Sequence, residues 1–433
     1  MTVPDTAAAE LRAQAPSATH PQRAHPQQAP AAPAAGRSSL GDVCAVLWPP
    51  PATTSVARGR AAHADERDFI LLPSARHPRL LVPSARRASA AAVRRYGEPG
   101  SLKAWAASRA LSLALAGGAA AVGLGGRLRV RASAGTDTIE AYLSAVLGRD
   151  VLISTHLGAA RANRKPVLQL LTARGEAAGF VKLSINPLTR DLIRAERAAL
   201  DTLAAEHFRG LTIPSVLHYG PWQGREVLVM SALPVWRRRK ALEPGQLSAA
   251  MAELAAVGGR GRGPLAGSAY LARLRGRLDT APGGPDRAAL SSALDTLTAA
   301  TAGAGAELGF GAWHGDWTGW NMACTADGLL VWDWERFTPD VPVGFDALHY
   351  RLQSAVVRGR QPPKAAAAEC VRTAPESLAP LGVPAAEAQL VALLYLAELS
   401  ARYLADRQAE AGARLGRPGT WLIPAIEEAV SRL

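Results

Sequence analysis

Apolar and polar positions fall into three regimes along the chain. Residues 1–65 are rich in Ala, Pro, Gln and Ser and hold no lasting apolar period. Such a segment buries too little surface to offset the entropy of ordering, so a disordered tail is expected there. From Phe69 the runs FILLPS and RLLVPS read as two short strands, 69–74 and 79–84, and helical patterns follow over 86–96 and 101–123. These make 66–134 an α/β accessory region, expected to pack as a folded unit on the lobe formed by the residues after it. A short helix over 137–147 then leads to strand-like runs at 151–158, 166–173 and 179–184. A helix from Pro187 to Glu206 and two further strands, 215–220 and 226–233, complete the middle of the chain. Three strands, a helix and two strands predict a small antiparallel lobe over 135–233. Residues 234–433 read as mostly helical, interrupted by strands near 322–334. The fold class is therefore α+β, with a sheet lobe followed by a helical lobe.

Within the helical half stands His314-Gly315-Asp316-Trp317-Thr318-Gly319-Trp320-Asn321, followed by Val331-Trp332-Asp333-Trp334-Glu335. Asp316 and Asn321 are close enough for one tight loop to point both inward. Asp327-Gly328 marks a turn, and a hairpin there brings Asp333 back beside Asn321. A carboxylate buried between tryptophans needs a cation or a hydrogen-bonding partner, and a metal would serve. Phosphoryl transfer from a nucleotide asks for such a set: one carboxylate to orient the attacking hydroxyl and accept its proton, and oxygen ligands to hold Mg²⁺ between the phosphates.

The HGDxxxxN loop with its D-W-E strand resembles the signature of the aminoglycoside phosphotransferase and choline kinase family, which is related to protein kinases. The resemblance covers residues 140–433. It implies a two-lobed protein kinase-like fold, ATP or another NTP, and Mg²⁺. It makes Asp316 the catalytic base and Asn321 and Asp333 the metal ligands, with His314 bracing the loop. Glu335 matches an acid often found in the family; a salt bridge to Arg336 is the other reading. Asp346, in Gly344-Phe345-Asp346, matches a downstream acid and is read as structural.

Lys182 lies inside the apolar strand Gly179-Phe180-Val181-Lys182-Leu183, where a lysine is costly unless paired. The helix after it is capped by Asn186 with Pro187 in its first turn. Positions 188, 192, 196, 200 and 203 form one stripe, which puts Glu196 on the buried face. A Lys182–Glu196 ion pair accounts for both residues, and in the kinase resemblance it aims the ammonium at the α- and β-phosphates. Independent snorkelling of each residue to solvent is the alternative. The loop from Thr155 to Lys165 has one glycine, Gly158. Backbone amides near Gly158, with Arg161, Arg164 or Lys165, would cradle phosphate; a plain basic hairpin is the other reading. By analogy, Met230, Ser231 and Leu233 join the lobes and hydrogen-bond the base. Trp317 and Trp320 either wall the acceptor site or pack the core.

Charge changes the picture only in part. The chain of 433 residues carries +13, but only five of its 49 basic residues are lysines. A basic chain suits nucleic acid or an anionic membrane. With no zinc spacing, no basic–aromatic RNA motif and no sustained heptad, nucleic acid is not an expected partner. Residues 86–131 hold nine basic residues against one acid, Glu98: a solvated face, or a docking surface for an anionic partner. Ala110 to Leu124 is apolar but shorter than the ~20 residues a membrane span requires, so a buried helix is expected. Cys44, Cys324 and Cys370 fit neither a disulfide framework nor a metal knuckle. Without a basic start and apolar core at the N-terminus, a cytoplasmic location is expected. A polycationic aminoglycoside would favour an acidic helical lobe, but from 236 onward there are 21 Lys and Arg against 20 Asp and Glu. The charge count therefore does not favour an aminoglycoside, and a sugar, a natural-product hydroxyl or a biosynthetic intermediate is expected at least as readily as an aminoglycoside-like acceptor for the γ-phosphoryl group. The competing classes are a nucleotide-binding pseudokinase scaffold and a protein kinase. A scaffold has no need of Lys182, Glu196, Asp316, Asn321 and Asp333 together, and a protein kinase would carry HRD, DFG and APE wording.

Overall fold

The strands read between 69 and 233 all enter one antiparallel sheet, and it is larger than the sequence pattern predicts. The computed structural model describes residues 40–57, 63, 65–95, 102–118, 126–157, 165–243, 245–303, 307–410, 413 and 415–432. The first half runs α1 (Leu40–Leu47), β1 (Thr53–Ala57), β2 (Glu66–Leu72), β3 (Leu80–Pro83), α2 (Arg86–Arg95), α3 (Leu102–Ala116), β4 (Gly126–Arg131) and α4 (Ile139–Leu147). It continues through β5 (Leu152–His156), β6 (Val167–Leu171), β7 (Ala177–Leu183), α5 (Pro187–Leu203), β8 (Leu211–Thr212), β9 (Val216–Trp222) and β10 (Arg225–Met230). Nine of these strands pair in the order β1-β4-β2-β3-β5-β6-β7-β10-β9.

Order begins earlier than composition predicts. Residues 40–57 lie within the segment expected to be disordered, yet α1 buries Val43, Cys44 and Leu47. Trp48 is 2% exposed, its ring sits 5.0 Å from Phe69, and its indole N–H donates to the Glu140 carboxylate at 2.9 Å. A helix this short is stable only through tertiary packing, and its partners lie outside any local window. The rest of that segment, 1–39, lies outside the described residues. Strands β2, β3 and β4 share one sheet with the strands of the lobe that follows. They enter its sheet through β3 and β5, with Leu80 opposite His156 and Leu81 opposite Thr155. The unexpected strand β4 sends Leu128 and Val130 into the core. Its arginines meet acids across the sheet: Arg127 and Arg129 reach Asp68 at 3.7 and 3.1 Å, and Arg131 reaches Asp65 at 2.7 Å. Part of the basic stretch is thus neutralised internally.

The apolar run expected as a buried helix is only partly so. α3 stops at Ala116, buries Ser112 and Leu115, and leaves Leu113 72% exposed. Among the described residues no single helix is long and apolar enough to cross a membrane. The three cysteines are free.

The second half runs α6 (Gln246–Ala255), β11 (Gly261–Pro264), α7 (Ala269–Thr280), α8 (Pro285–Gly303), β12 (Glu307–Trp313), β13 (Met322–Thr325), β14 (Gly328–Val331) and β15 (Thr338–Pro342). Then come α9 (Phe345–Gln353), a π-helical turn (Ser354–Arg358), α10 (Pro363–Arg372), α11 (Ala374–Leu378), α12 (Ala385–Ala405) and α13 (Leu422–Val430). β12 pairs with β11 and β15, and β13 forms a hairpin with β14. β8 lies parallel to β14, with Leu211 opposite Leu329 and Thr212 opposite Leu330.

Alternation along the strands sorts the side chains that matter. Val181, Leu183, Val227 and Val229 point into the core under α1 and α4. Leu228 and Met230 point the other way, into one core with α5 and the helical lobe. Lys182 is cross-strand from Leu228, so it faces the helical lobe as well.

Candidate active site

The loop from His314 to Asn321 follows β12 and is gripped from several sides. Asp346, at the start of α9, accepts the backbone N–H of His314 at 2.7 Å and of Gly315 at 3.2 Å. Burial pushes the Asp346 carboxyl up to about 7. Arg402 of α12 donates to the Gly315 carbonyl. Gly315 has φ +83°, and a Cβ there would collide with the Arg336 carbonyl, so the turn requires glycine. His314 is fully buried; its Nδ1 accepts the Asp316 N–H at 3.1 Å and its Nε2 donates to the Trp332 carbonyl at 3.1 Å. That places the proton on Nε2 of a neutral ring, in keeping with a pKa lowered by burial to about 4.

Held this way, the Asp316 carboxylate has a partner on each oxygen. Oδ2 accepts from Asn321 Nδ2 at 2.9 Å, and Oδ1 lies 3.0 Å from His349 Nε2. His349 Nδ1 lies 3.0 Å from the Tyr395 hydroxyl. Burial lowers the His349 pKa, so the neutral ring donates to Asp316 and accepts from Tyr395. Burial works against the Asp316 charge, but the His349 hydrogen bond and the nearby Arg402 hold its carboxyl below the usual range. The Asp316 side chain is 34% exposed, open on the remaining side.

Lys182 of β7 reaches Asp333, just beyond the hairpin that follows this loop. Its ammonium donates to Glu196 at 2.7 and 2.5 Å, also bonds Asp333, and lies 3.8 Å from Glu335. Glu196 is fully buried and also accepts the Trp334 N–H at 3.2 Å. The expected pair is therefore present, and neither residue snorkels to solvent alone. Burial disfavours the Lys182 charge, yet Asp333, Glu196 and Glu335 together outweigh it and raise its pKa. Burial also opposes the Asp333 charge, but Lys182 and Lys165 hold its carboxyl well below the usual range. Asp333 has φ +75°, a left-handed conformation that Asp tolerates better than most residues.

The β13–β14 hairpin forms as expected, and Trp332 N–H bonds the Asn321 carbonyl at 3.1 Å, bringing Asp333 beside Asn321. Asn321 commits its amide N–H to Asp316, which turns its side-chain oxygen elsewhere. Oxygens of Glu196, Asp333 and Glu335 lie within 4.8 Å of one another. Glu196 and Glu335 are engaged by Lys182 and Lys165, whereas Asp333 stands beside Asn321, and the hard oxygens of these two side chains are of the kind that fits Mg²⁺. Glu335 does not pair with Arg336: it bonds Lys165, while Arg336 bonds Asp406 of the turn after α12.

Of the residues expected to join the lobes, Met230 ends β10 and Leu233 packs with Ala323 and Leu330 of the hairpin. The Ser231 N–H bonds Ser215 and the Leu233 carbonyl bonds Val235, so two backbone groups of this segment already have partners. Gly158 lies outside the described residues, as do Arg161 and Arg164. Trp317 is fully buried and donates to Met322 Sδ, which makes it core, whereas Trp320 is 41% exposed. Sequence reasoning missed His349, Tyr395 and Arg402. Tyr395 and Arg402 sit two turns apart on one face of α12, a polar stripe in an apolar helix, which is the signal that exposed Glu196.

No family model and no curated protein matches this chain. Solved structures do resemble it. Aminoglycoside phosphotransferase APH(4)-Ia, in a thermostable mutant form bound to ADP and hygromycin B, is 14% identical with a TM-score of 0.43, over 68% of this chain and 98% of that one. A protein described as a fructosamine-3-kinase from Thermobifida fusca YX-ER1 is 20% identical with a TM-score of 0.40, over 68% and 99%. A choline/ethanolamine kinase family protein from Mesorhizobium loti is 13% identical with a TM-score of 0.34, over 64% and 89%. The chain resembles kinase-like enzymes, and its own side chains decide what its site can do.

Proposed function

We propose that this protein transfers the γ-phosphoryl group of ATP to a hydroxyl of a small molecule. The observation that carries the reading is the Asp316 carboxylate, held on one oxygen by His349 and on the other by Asn321, with the neighbouring Asp333 tied to the Lys182–Glu196 pair. In this reading the acceptor hydroxyl donates to Asp316. Its oxygen attacks the γ-phosphorus, its proton passes to Asp316, and the bond to the β–γ bridging oxygen breaks to release ADP. The hydrogen bond from His349 keeps the base charged at neutral pH. Lys182, fixed by Glu196, faces the phosphates. Asn321 and Asp333 are the residues to hold Mg²⁺, which offsets phosphate charge when bound. The nucleotide base lies against the backbone of Met230–Leu233. Trp320, four residues from Asp316 and 41% exposed, offers the acceptor a flat apolar wall. Together with the near-neutral helical lobe, this supports a neutral hydroxyl compound, such as a sugar or natural product.

The test is to incubate purified protein with γ-labelled ATP and a metabolite extract and to identify the labelled product. Asp316→Asn should lower turnover about 10²- to 10⁴-fold while nucleotide still binds. Activity within a factor of two of wild type would remove Asp316 from the mechanism.

A further inference from the structure

Lys165 has no role in the reaction as drawn, yet it belongs to the same cluster. It leads into β6 two residues before Val167, whose cross-strand partner is Lys182, so both lysines rise from one face of the hairpin. Its side chain is 7% exposed and bonds Glu335 Oε2, on a side chain 5% exposed. The same oxygen lies 3.8 Å from Lys182 Nζ. Two ammonium groups from neighbouring strands of the sheet lobe thus converge on one carboxylate oxygen of the helical lobe.

Like charges brought together away from water repel strongly unless anions surround them. Glu196, Asp333 and Glu335 do so here. Three carboxylates around two lysines leave one net negative charge, which is a poor receptor for a polyphosphate. The arrangement makes sense if the lysines exchange partners. Lysine suits such an exchange, being a compact charge with three rotatable donors, whereas arginine is a fixed planar fork. Arginine is the default cation of this chain, with lysine only five of 49 basic residues, and two of the five stand here.

We propose that Lys165 is a second phosphate-binding lysine, which exchanges its bond to Glu335 for bonds to nucleotide polyphosphate oxygens when the accompanying divalent cation offsets the carboxylates. This rests on the nucleotide reading above. The probes are ATP and AMP with Mg²⁺, titrated calorimetrically into the full chain. Lys165→Met should weaken ATP about 10- to 100-fold, the worth of a charge-assisted hydrogen bond, and leave AMP unchanged. Because that variant strands Glu335 as a buried unpaired charge, Lys165→Met/Glu335→Gln is measured beside it and decides if the single variant fails to fold. Glu335→Gln alone should tighten ATP binding without Mg²⁺, because it releases the lysine. If the double variant binds ATP as wild type does while Lys182→Met loses ATP affinity, the Lys165 assignment is overturned and the site stands. If the wild type binds no nucleotide, both are overturned.

Discussion

His314 couples the 314–321 loop to pH. Its Nδ1 accepts a backbone N–H and its Nε2 donates to a carbonyl, so a second proton on the ring would set two donors against each other at Asp316 N. Burial moves its pKa from 6.5 to about 4. Between these values the unfolded chain takes up a proton that the folded chain refuses. Stability is therefore full above pH 6.5 and is lost as pH falls toward 4. At 1.36 kcal/mol per pH unit the span is worth about 3 kcal/mol. The perturbation is His314→Gln, which does not titrate. Urea unfolding followed by tryptophan fluorescence, repeated from neutral pH down to pH 4, gives both stability curves. Carboxylates and His349 are common to the two proteins, so their difference isolates His314. The wild type should be the more stable at neutral pH, and the gap should close by about 3 kcal/mol at the acid end. Parallel curves would refute the neutral, buried histidine.

Lys182→Met and Glu196→Leu should each cost about 3–5 kcal/mol of stability, because each strands a buried charge, and the double variant should cost far less than their sum. Strict additivity in denaturant unfolding would show that the two do not act as a unit. Asp333→Ala should abolish Mg²⁺-dependent binding of ATP and Asn321→Ala should weaken it less, since a neutral amide oxygen offers less charge; equal affinities by calorimetry would place the metal elsewhere. Trp48→Phe keeps a ring against Phe69 but leaves the buried Glu140 without its indole donor. It should cost about 1–3 kcal/mol, and an unchanged unfolding midpoint would count against α1 as part of the core.

How far the sequence can be read follows from the range of the interactions. Lys182 and Glu196 are legible because a charged residue in an apolar strand and another on an apolar helix stripe each raise the question the other answers. Asp316, Asn321 and Asp333 are legible because a short loop and a hairpin carry all three. The strand at 53–57 is hidden: its pairing partner is 126–131, and neither segment shows more than a few alternations alone. Strands β11, β12 and β15 are rich in Gly and Pro, which read as turns until they meet. Lys165 and Glu335 are 170 residues apart, a juxtaposition that no local pattern encodes. The partner of Arg336 is hidden for the same reason: adjacency in sequence offers Glu335, but the backbone turns the two side chains to different neighbours.

The parallel pairing of β8 with β14 has a mechanical meaning. From Glu196 the chain runs down α5 to Leu211 and Thr212, which are laced to Leu329 and Leu330. From there β14 leads directly to Asp333, Asp333 is tied to Lys182, and Lys182 is tied back to Glu196. The path is a closed linkage, not an arm hinged at one end. A shift of α5 away from Lys182 would therefore load the pairing of β8 with β14 as well as the ion pair. α5 is thus anchored twice, by the ion pair at Glu196 and by the strand into which its chain leads.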